Sequence, residues 1–315
     1  GELWYNSTAT TFQYKFGATA GAWSTSNNLN TARTYLAGAG TQTAALGFGG
    51  KINGTPPFVG ATEKYNGTSW TEVNDLNTIR SGLAGAGTQT AALGFGGYFS
   101  PPAANQVATE TWNGTNWTEV NNLNTARRAL GGVGANNTAA LAFGGSPPSG
   151  IADTELWNGT NWTEVNNLNT QRRSMGGAGT QPAALAFGGS NPPFTTLAIT
   201  ELWNGTNWTE VNDLNVGHKA WAGAGTQTAA LGFGGYGASA LTESWNGTNW
   251  TVANNLNTGR DTLGGAGTNT AALAFGGSTP PFTAATEEFN TGVAVGAWST
   301  GGNLNTGRNS LGGTG

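Results

Sequence analysis

One cationic side chain recurs at a fixed spacing along the chain and is the first candidate for chemistry. Ten residues after each of seven tryptophans comes an arginine or a histidine: Arg33, Arg80, Arg127, Arg172, His218, Arg260 and Arg308. Guanidinium groups donate paired hydrogen bonds to carboxylates and phosphates, so equivalent arginines could form an anion-binding ring. The alternative interpretation is an ion pair between each arginine and a glutamate of the recurring Thr-Glu pairs, namely Glu63, Glu110, Glu155, Glu201, Glu243 and Glu287.

Residue types that support catalysis or metal binding are scarce. The chain has no Cys and one His, which excludes thiolate chemistry and a histidine-cluster metal site within one chain. The glutamates of the Trp-Thr-Glu-Val segments recur without a second acid arranged as in a glycosidase. We therefore expect no catalytic residue, no metal and no cofactor, and we predict that the protein is not an enzyme.

Composition narrows the class of protein further. Charged residues make up 9% of the chain, and hydrophobic residues make up 37%, which is enough to bury a core. The net charge of -4 argues against nucleic-acid binding driven by phosphate contacts. No apolar run approaches the roughly 18 to 20 residues of a membrane span, so we expect no membrane insertion.

The elements that must position the arginines belong to one repeated unit. Its tryptophans lie 42 to 48 residues apart, and a representative copy reads RRSMGGAGT, AALAFGG, a variable loop, then TELWNGTNWTEV. Each unit holds four short strand-like runs, which we name A to D, and Asn-Gly between C and D is a strong hairpin signal. Four antiparallel strands repeated at this period predict the blades of a β-propeller.

The order of residues in the unit resembles the kelch repeat. Its marks are the arginine, the apolar strand that ends in Gly-Gly, an aromatic residue and a later tryptophan, and the aromatic residues are Tyr65, Trp112, Trp157, Trp203, Trp245 and Phe289. The resemblance implies that strand A is innermost, so that the cationic residues form a ring near one mouth of a central channel. We expect the aromatic residues to fill the space between blades rather than to stack on sugars.

Both ends of the chain contribute strands to the predicted ring. Residues 21–30 match residues 296–305 as strand D, residues 11–16 are predicted as strand C, residues 2–6 as strand B, and residues 308–313 as a lone strand A. We predict one all-β domain over residues 1–315, a seven-bladed propeller of four-stranded antiparallel blades. Three N-terminal strands and one C-terminal strand share the closing blade, and blade boundaries fall near the seven cationic residues.

Sequence variation concentrates in the loops between strands B and C. Most of these loops carry Pro-Pro, and five carry aromatic residues, which are Phe58, Tyr98, Phe99, Phe194, Tyr236 and Phe282. Stiff loops that present aromatics lose little entropy on binding, so we predict that these six residues contact a ligand. Neutral drift in loops is the alternative.

The opening residues 1–16, GELWYNSTATTFQYKF, are similar to segments of tail-fibre and other structural proteins of tailed phages. The resemblance implies a virion or extracellular location and contacts with other virion proteins. We predict a non-enzymatic receptor-binding propeller that recognises a host surface glycan or protein, with homo-oligomerisation as an open expectation. The alternative is a secreted lectin-like or adhesion propeller outside any virion.

Overall fold

The fold of the chain is described by a computed structural model that covers residues 2–6, 11–15, 21–147, 150–193 and 195–291. Within these residues every regular element is a β-strand, which confirms the all-β prediction. The same residues contain no helix that is long and apolar enough to cross a membrane. Six four-stranded antiparallel sheets account for 24 of the strands, and each sheet is one blade of a propeller.

The strands of each blade run in order from the channel outward. Blade 1 is Ala37–Thr41 (β4), Ala44–Phe48 (β5), Thr62–Tyr65 (β6) and Trp70–Val73 (β7). Blade 2 is Ala84–Thr88 (β8), Ala91–Phe95 (β9), Thr109–Trp112 (β12) and Trp117–Val120 (β13). Blade 3 is Gly131–Asn136 (β14), Ala139–Phe143 (β15), Thr154–Trp157 (β16) and Trp162–Val165 (β17).

The remaining blades have the same order. Blade 4 is Gly176–Thr180 (β18), Ala183–Phe187 (β19), Thr200–Trp203 (β22) and Trp208–Val211 (β23). Blade 5 is Trp221–Thr226 (β24), Ala229–Gly234 (β25), Thr242–Trp245 (β26) and Trp250–Ala253 (β27). Blade 6 is Gly264–Gly267 (β28), Ala271–Phe275 (β29), Thr286–Asn290 (β30) and, from the other end of the chain, Ala22–Ser26 (β3).

Three small hairpins complete the described structure. Glu2–Asn6 (β1) pairs with Thr11–Lys15 (β2) in a two-stranded sheet of its own. Within the B–C loops, Tyr98–Phe99 (β10) pairs with Ala104–Asn105 (β11), and Ser190–Asn191 (β20) pairs with Thr195–Thr196 (β21).

The prediction of seven blades is wrong, because the described structure closes with six. Residues 22–26 pair with Thr286–Asn290, so the N-terminus gives one strand to the closing blade instead of three. The hairpin of residues 2–6 and 11–15 forms strands where they were predicted but lies outside the blade sheets. The second copy of strand D and the predicted last strand A, residues 296–313, lie outside the described residues.

Small residues on the innermost strands let the blades approach the channel axis. A Cβ built on Gly38 would lie 2.5 Å from the carbonyl oxygen of Gly265 in the neighbouring blade, and one on Gly85 would lie 2.7 Å from the carbonyl oxygen of Gly38. No real side chain tolerates such distances, so glycine is required there. Each inner strand contacts the next around the circle, and β28 contacts β4 to complete it.

Large aromatic side chains fill the wedges between blades, as the sequence predicts. In each wedge a strand-D tryptophan packs on a strand-B phenylalanine of the preceding blade, at ring-centroid distances of 4.8 to 5.1 Å. The indole nitrogen of that tryptophan also donates to a buried threonine hydroxyl at the start of the preceding blade's strand C. Trp23 of β3 takes part like the other five, packing on Phe233 and donating to Thr242.

Pairing between β3 and β30 can be tested by an engineered disulfide, because the chain has no Cys that could form a competing bond. Ser24 and Glu288 are direct partners in this pairing. We expect Ser24→Cys combined with Glu288→Cys to oxidise into one intramolecular bond. Closing a loop of this length stabilises the fold by about 5 kcal/mol in the chain-entropy model, measured by urea unfolding with and without reductant.

A pair placed in two different blades provides the control. Ser24→Cys combined with Thr71→Cys of blade 1 should stay reduced under the same conditions. If the Ser24 and Glu288 pair fails to oxidise in protein that melts like the wild type, the six-bladed closure is wrong.

Candidate functional site

Five of the recurring arginines form buried ion pairs inside their own blades. The pairs are Arg33 with Glu63, Arg80 with Glu110, Arg127 with Glu155, Arg172 with Glu201, and Arg260 with Glu287, with nitrogen–oxygen distances of 2.7 to 2.8 Å. The arginine side chains are 0% exposed and the glutamates at most 2%. Burial lowers the pKa of each guanidinium while its glutamate raises it, and the group stays protonated.

An asparagine three residues before each arginine holds the other oxygen of the glutamate. In blade 1 the backbone N–H of Asn30 donates to Glu63 Oε2 at 2.7 Å, and its side-chain Nδ2 donates to the same oxygen at 2.8 Å. Asn77, Asn124, Asn169 and Asn215 repeat both contacts, and the backbone N–H of Asn257 repeats the first. This role was not predicted, although the recurring NLN triplet before the arginine was its signal in the sequence.

These contacts determine what the arginine ring can do. The five guanidinium groups donate hydrogen bonds to residues of strands B and C of their own blades, and none reaches solvent. Each guanidinium group thus joins the link, the segment between strand D of one blade and strand A of the next, to the interior of the blade that the link enters. The groups offer no donors to a ligand in this structure. Arg308, the seventh member of the predicted ring, lies outside the described residues.

Blade 5 departs from the pattern because His218 stands in place of the arginine. Its imidazole stacks on Trp221 at 5.1 Å between ring centroids, and Trp221 replaces the leucine or methionine of other blades. Glu243 is fully buried and accepts hydrogen bonds from Asn215 and from the backbone N–H of Val216. Within the described residues no arginine pairs with Glu243. Burial lowers the pKa of His218, and Glu243 opposes that shift.

The loop aromatics occupy the same side of the ring as the links between blades. Backbone pairing joins each link to the start of a B–C loop, as between Ser81 and Tyr98 or between Asp261 and Ser278. We call this side the loop face: it consists of the B–C loops and the residues that follow each buried arginine. The C–D and A–B turns meet on the opposite face, where Gly67 lies against Thr43.

The predicted ligand residues differ in how far they are exposed on the loop face. Phe58 is 7% exposed because it packs against Tyr98 and Phe99 of the next blade, with ring centroids 5.8 and 5.7 Å apart. Tyr98, Phe99 and Phe282 are half-buried, and Tyr236 is 67% exposed. Phe194 lies outside the described residues. Three of the six therefore form one aromatic cluster, and Tyr236 stands apart in blade 5.

A circle of six residues with left-handed backbone surrounds the mouth of the channel. Its members, two positions after each buried arginine or His218, are Tyr35, Gly82, Ala129, Ser174, Ala220 and Thr262, with φ between 52° and 62°. The N–H of each donates to the carbonyl oxygen of the preceding member, at 2.7 to 2.9 Å, and Tyr35 donates to Thr262 to complete the circle. These residues line a cavity of about 110 Å³ with Leu36, Leu83, Leu130, Met175, Trp221 and Leu263.

Among the described residues no group of three or more His, Cys, Asp and Glu side chains is placed to hold a metal ion.

Comparison with known proteins gives the fold alone. No protein family and no curated protein matches the chain. A solved structure, named "Structure of YjhT", superposes with a TM-score of 0.67 at 14% sequence identity, covering 83% of this chain and 95% of that one. The chain is therefore a β-propeller repeat protein.

Removing one partner of a buried ion pair should be costly. We expect Arg127→Ala to lower the free energy of unfolding by about 3 to 5 kcal/mol, because Glu155 stays buried without its countercharge. His218→Ala, at the equivalent position of blade 5, leaves no ion pair broken and should cost less. Urea unfolding followed by tryptophan fluorescence measures both variants. Equal losses in the two would contradict the assigned role of the arginine.

The lowered pKa of His218 predicts that acid weakens the fold. The unfolded chain takes up the imidazole proton near pH 6.5, whereas the folded protein takes it up only at lower pH. The stability that the neutral imidazole contributes is therefore fully present above about pH 6.5, the unfolded value. It is lost as the pH falls from there through the lower pKa of the folded protein. Between pH 7.5 and 5.5 the wild type should lose more unfolding free energy than His218→Gln. Parallel losses in both proteins would show that His218 titrates normally.

Proposed function

We propose that the protein is a non-enzymatic binding propeller that recognises a host surface glycan or protein through its loop face. The observation that carries this proposal is the placement of sequence variation. Blade strands and their wedge contacts repeat almost unchanged, whereas the B–C loops differ in every blade and all lie on one side of the ring. A rigid repeated frame with variable loops on one face is suited to binding.

The aromatic side chains on this face support the same proposal. The cluster of Phe58, Tyr98 and Phe99 joins the loops of two blades, and the Lys51 ammonium lies 5.7 Å from the Phe58 ring centroid. Tyr236 presents a largely exposed phenol on blade 5. Amphipathic rings on a rigid support contribute contact area at low entropic cost, which favours them in binding surfaces.

The setting of this activity is proposed from sequence resemblance. The kelch-like order of each repeat and the similarity of residues 1–16 to tail-fibre segments support a structural component of a phage virion. Several copies on one particle would turn weak single contacts into firm attachment. Other virion proteins are then partners of this chain.

Loop replacement tests the proposed binding face. Replacing residues 98–108 or residues 190–199 with the blade 3 loop SPPSGIAD, which carries no aromatic residue, should weaken binding to bacterial surface polysaccharides at least tenfold, because the aromatic contacts are removed while the blade strands remain. A glycan array and biolayer interferometry provide the measurement. Asn137→Gln, which copies the glutamine of other blades on the opposite face, is the control and should bind like the wild type. Binding that survives both loop replacements overturns the proposal.

A further inference from the structure

The position directly after each buried arginine or His218, in the link that precedes strand A, differs in charge from blade to blade. Its six occupants are Thr34, Ser81, Arg128, Arg173, Lys219 and Asp261, one from each blade at equivalent places around the mouth. Three consecutive blades, 3 to 5, therefore present cations and blade 6 presents a carboxylate, whereas Thr34 and Ser81 of blades 1 and 2 are buried. This position was not noticed in the sequence because the arginine that precedes it is the residue that repeats.

The charges of Arg128, Arg173 and Asp261, from three blades, act on the Tyr35 phenol of a fourth blade at the channel mouth. Burial raises the pKa of the Tyr35 phenol, Asp261 raises it further, and Arg128 and Arg173 lower it. Partial burial lowers the pKa of the Arg173 guanidinium, and Arg128 lowers it further. The backbone of Arg128 pairs with that of Ser146, and the Ser146 hydroxyl accepts a hydrogen bond from Arg173 Nη1, so the two cationic residues are neighbours in the fold.

Neighbouring loops hold the cations in place. The Arg128 guanidinium lies 4.3 Å from the Tyr98 ring centroid, and the Lys219 ammonium lies 4.4 Å from that of Tyr236. Arg173 Nη1 donates to the Ser146 hydroxyl at 3.3 Å. Cations fixed on aromatic faces lose little side-chain entropy when a ligand binds.

We propose that the channel mouth binds the anionic group of an acidic saccharide, a carboxylate or a sulfate, between Arg128 and Arg173, with Lys219 beside them. Guanidinium groups bind both anions through paired donors. The Asp261 carboxylate and the Tyr35 phenol can accept and donate the hydrogen bonds that sugar hydroxyls require. Hydrogen-bonding groups beside the cations suit a ligand that carries hydroxyls next to its anion, as a saccharide does and an acidic peptide does not. This inference rests on the proposed function and names the ligand class for the same face.

The test compares acidic and neutral polymers on the full chain. Dextran sulfate is paired with dextran, and polygalacturonate with neutral galactan, so that sulfate and carboxylate are examined separately. We expect the wild type to bind at least one acidic polymer and to bind it more weakly as salt rises. Arg128→Gln and Arg173→Gln should each reduce the affinity about 10- to 100-fold, the range expected for a lost charged hydrogen bond.

Lys64→Gln is the matched control, because it removes one positive charge from strand β6, where Lys64 lies near Trp112 and outside the mouth. It should change the affinity less than twofold. Thermal unfolding of all variants at the wild-type midpoint shows that the fold is kept. Equal weakening by Arg173→Gln and Lys64→Gln, or binding of the acidic and neutral polymers alike, overturns the proposal. Poly-glutamate that binds as tightly as the acidic saccharides overturns the assignment to saccharides.

The proposal and the function beneath it fail in different ways. A neutral glycan that binds the wild type and the arginine variants equally, but not the loop-replaced proteins, overturns the anion site and leaves recognition by the loop face standing. Binding that neither loop replacement nor the arginine variants weaken overturns both.

Discussion

The whole structure depends on a fit between neighbouring blades that must close on itself. Each wedge is filled by one tryptophan on one phenylalanine, and each tryptophan also donates to a threonine of the preceding blade. At the mouth, six backbone N–H groups donate to six carbonyl oxygens in a circle without a free end. Such a circle needs a left-handed residue in every blade, and five of the six are residues other than glycine. Closure of the ring therefore maintains a backbone conformation that those side chains disfavour.

The buried ion pairs serve this ring and not a ligand. Each arginine comes from the link that enters a blade and each glutamate from strand C of the same blade, so the pair joins two segments about 30 residues apart in sequence. A buried pair of this kind adds little net stability over an apolar pair, but it tolerates only one arrangement of its two segments. Blade 5 shows that the frame survives without one: His218 and Trp221 stack in its place, and Glu243 keeps its backbone and asparagine donors.

Much of this architecture could be predicted from the sequence. The period, the four strands of each blade, the tryptophan core and the glutamate partners of Arg33 and its equivalents all follow from repeated residues. The blade number could not, because residues 22–26 and 297–300 have nearly the same sequence, and only the structure shows which segment pairs with Thr286–Asn290. Arg128 and Arg173 were missed for the opposite reason: a position that does not repeat leaves no pattern in a repetitive chain. The exposure of the loop aromatics could not be predicted from the sequence either, because Phe58 is covered by the loop of the next blade.

Pairing of β3 with β30 also determines when the protein can finish folding during synthesis. Ala22–Ser26 leaves the ribosome well before its partner strand, which ends at Asn290, more than 260 residues later. Until then Trp23 has no wedge to enter, and the edges of β30 and of the first blade stay open. Contacts of such long sequence separation are slow to form and leave apolar surface exposed while they wait. Early blades that fold from local hairpins limit this exposure to the two ends of an unfinished ring.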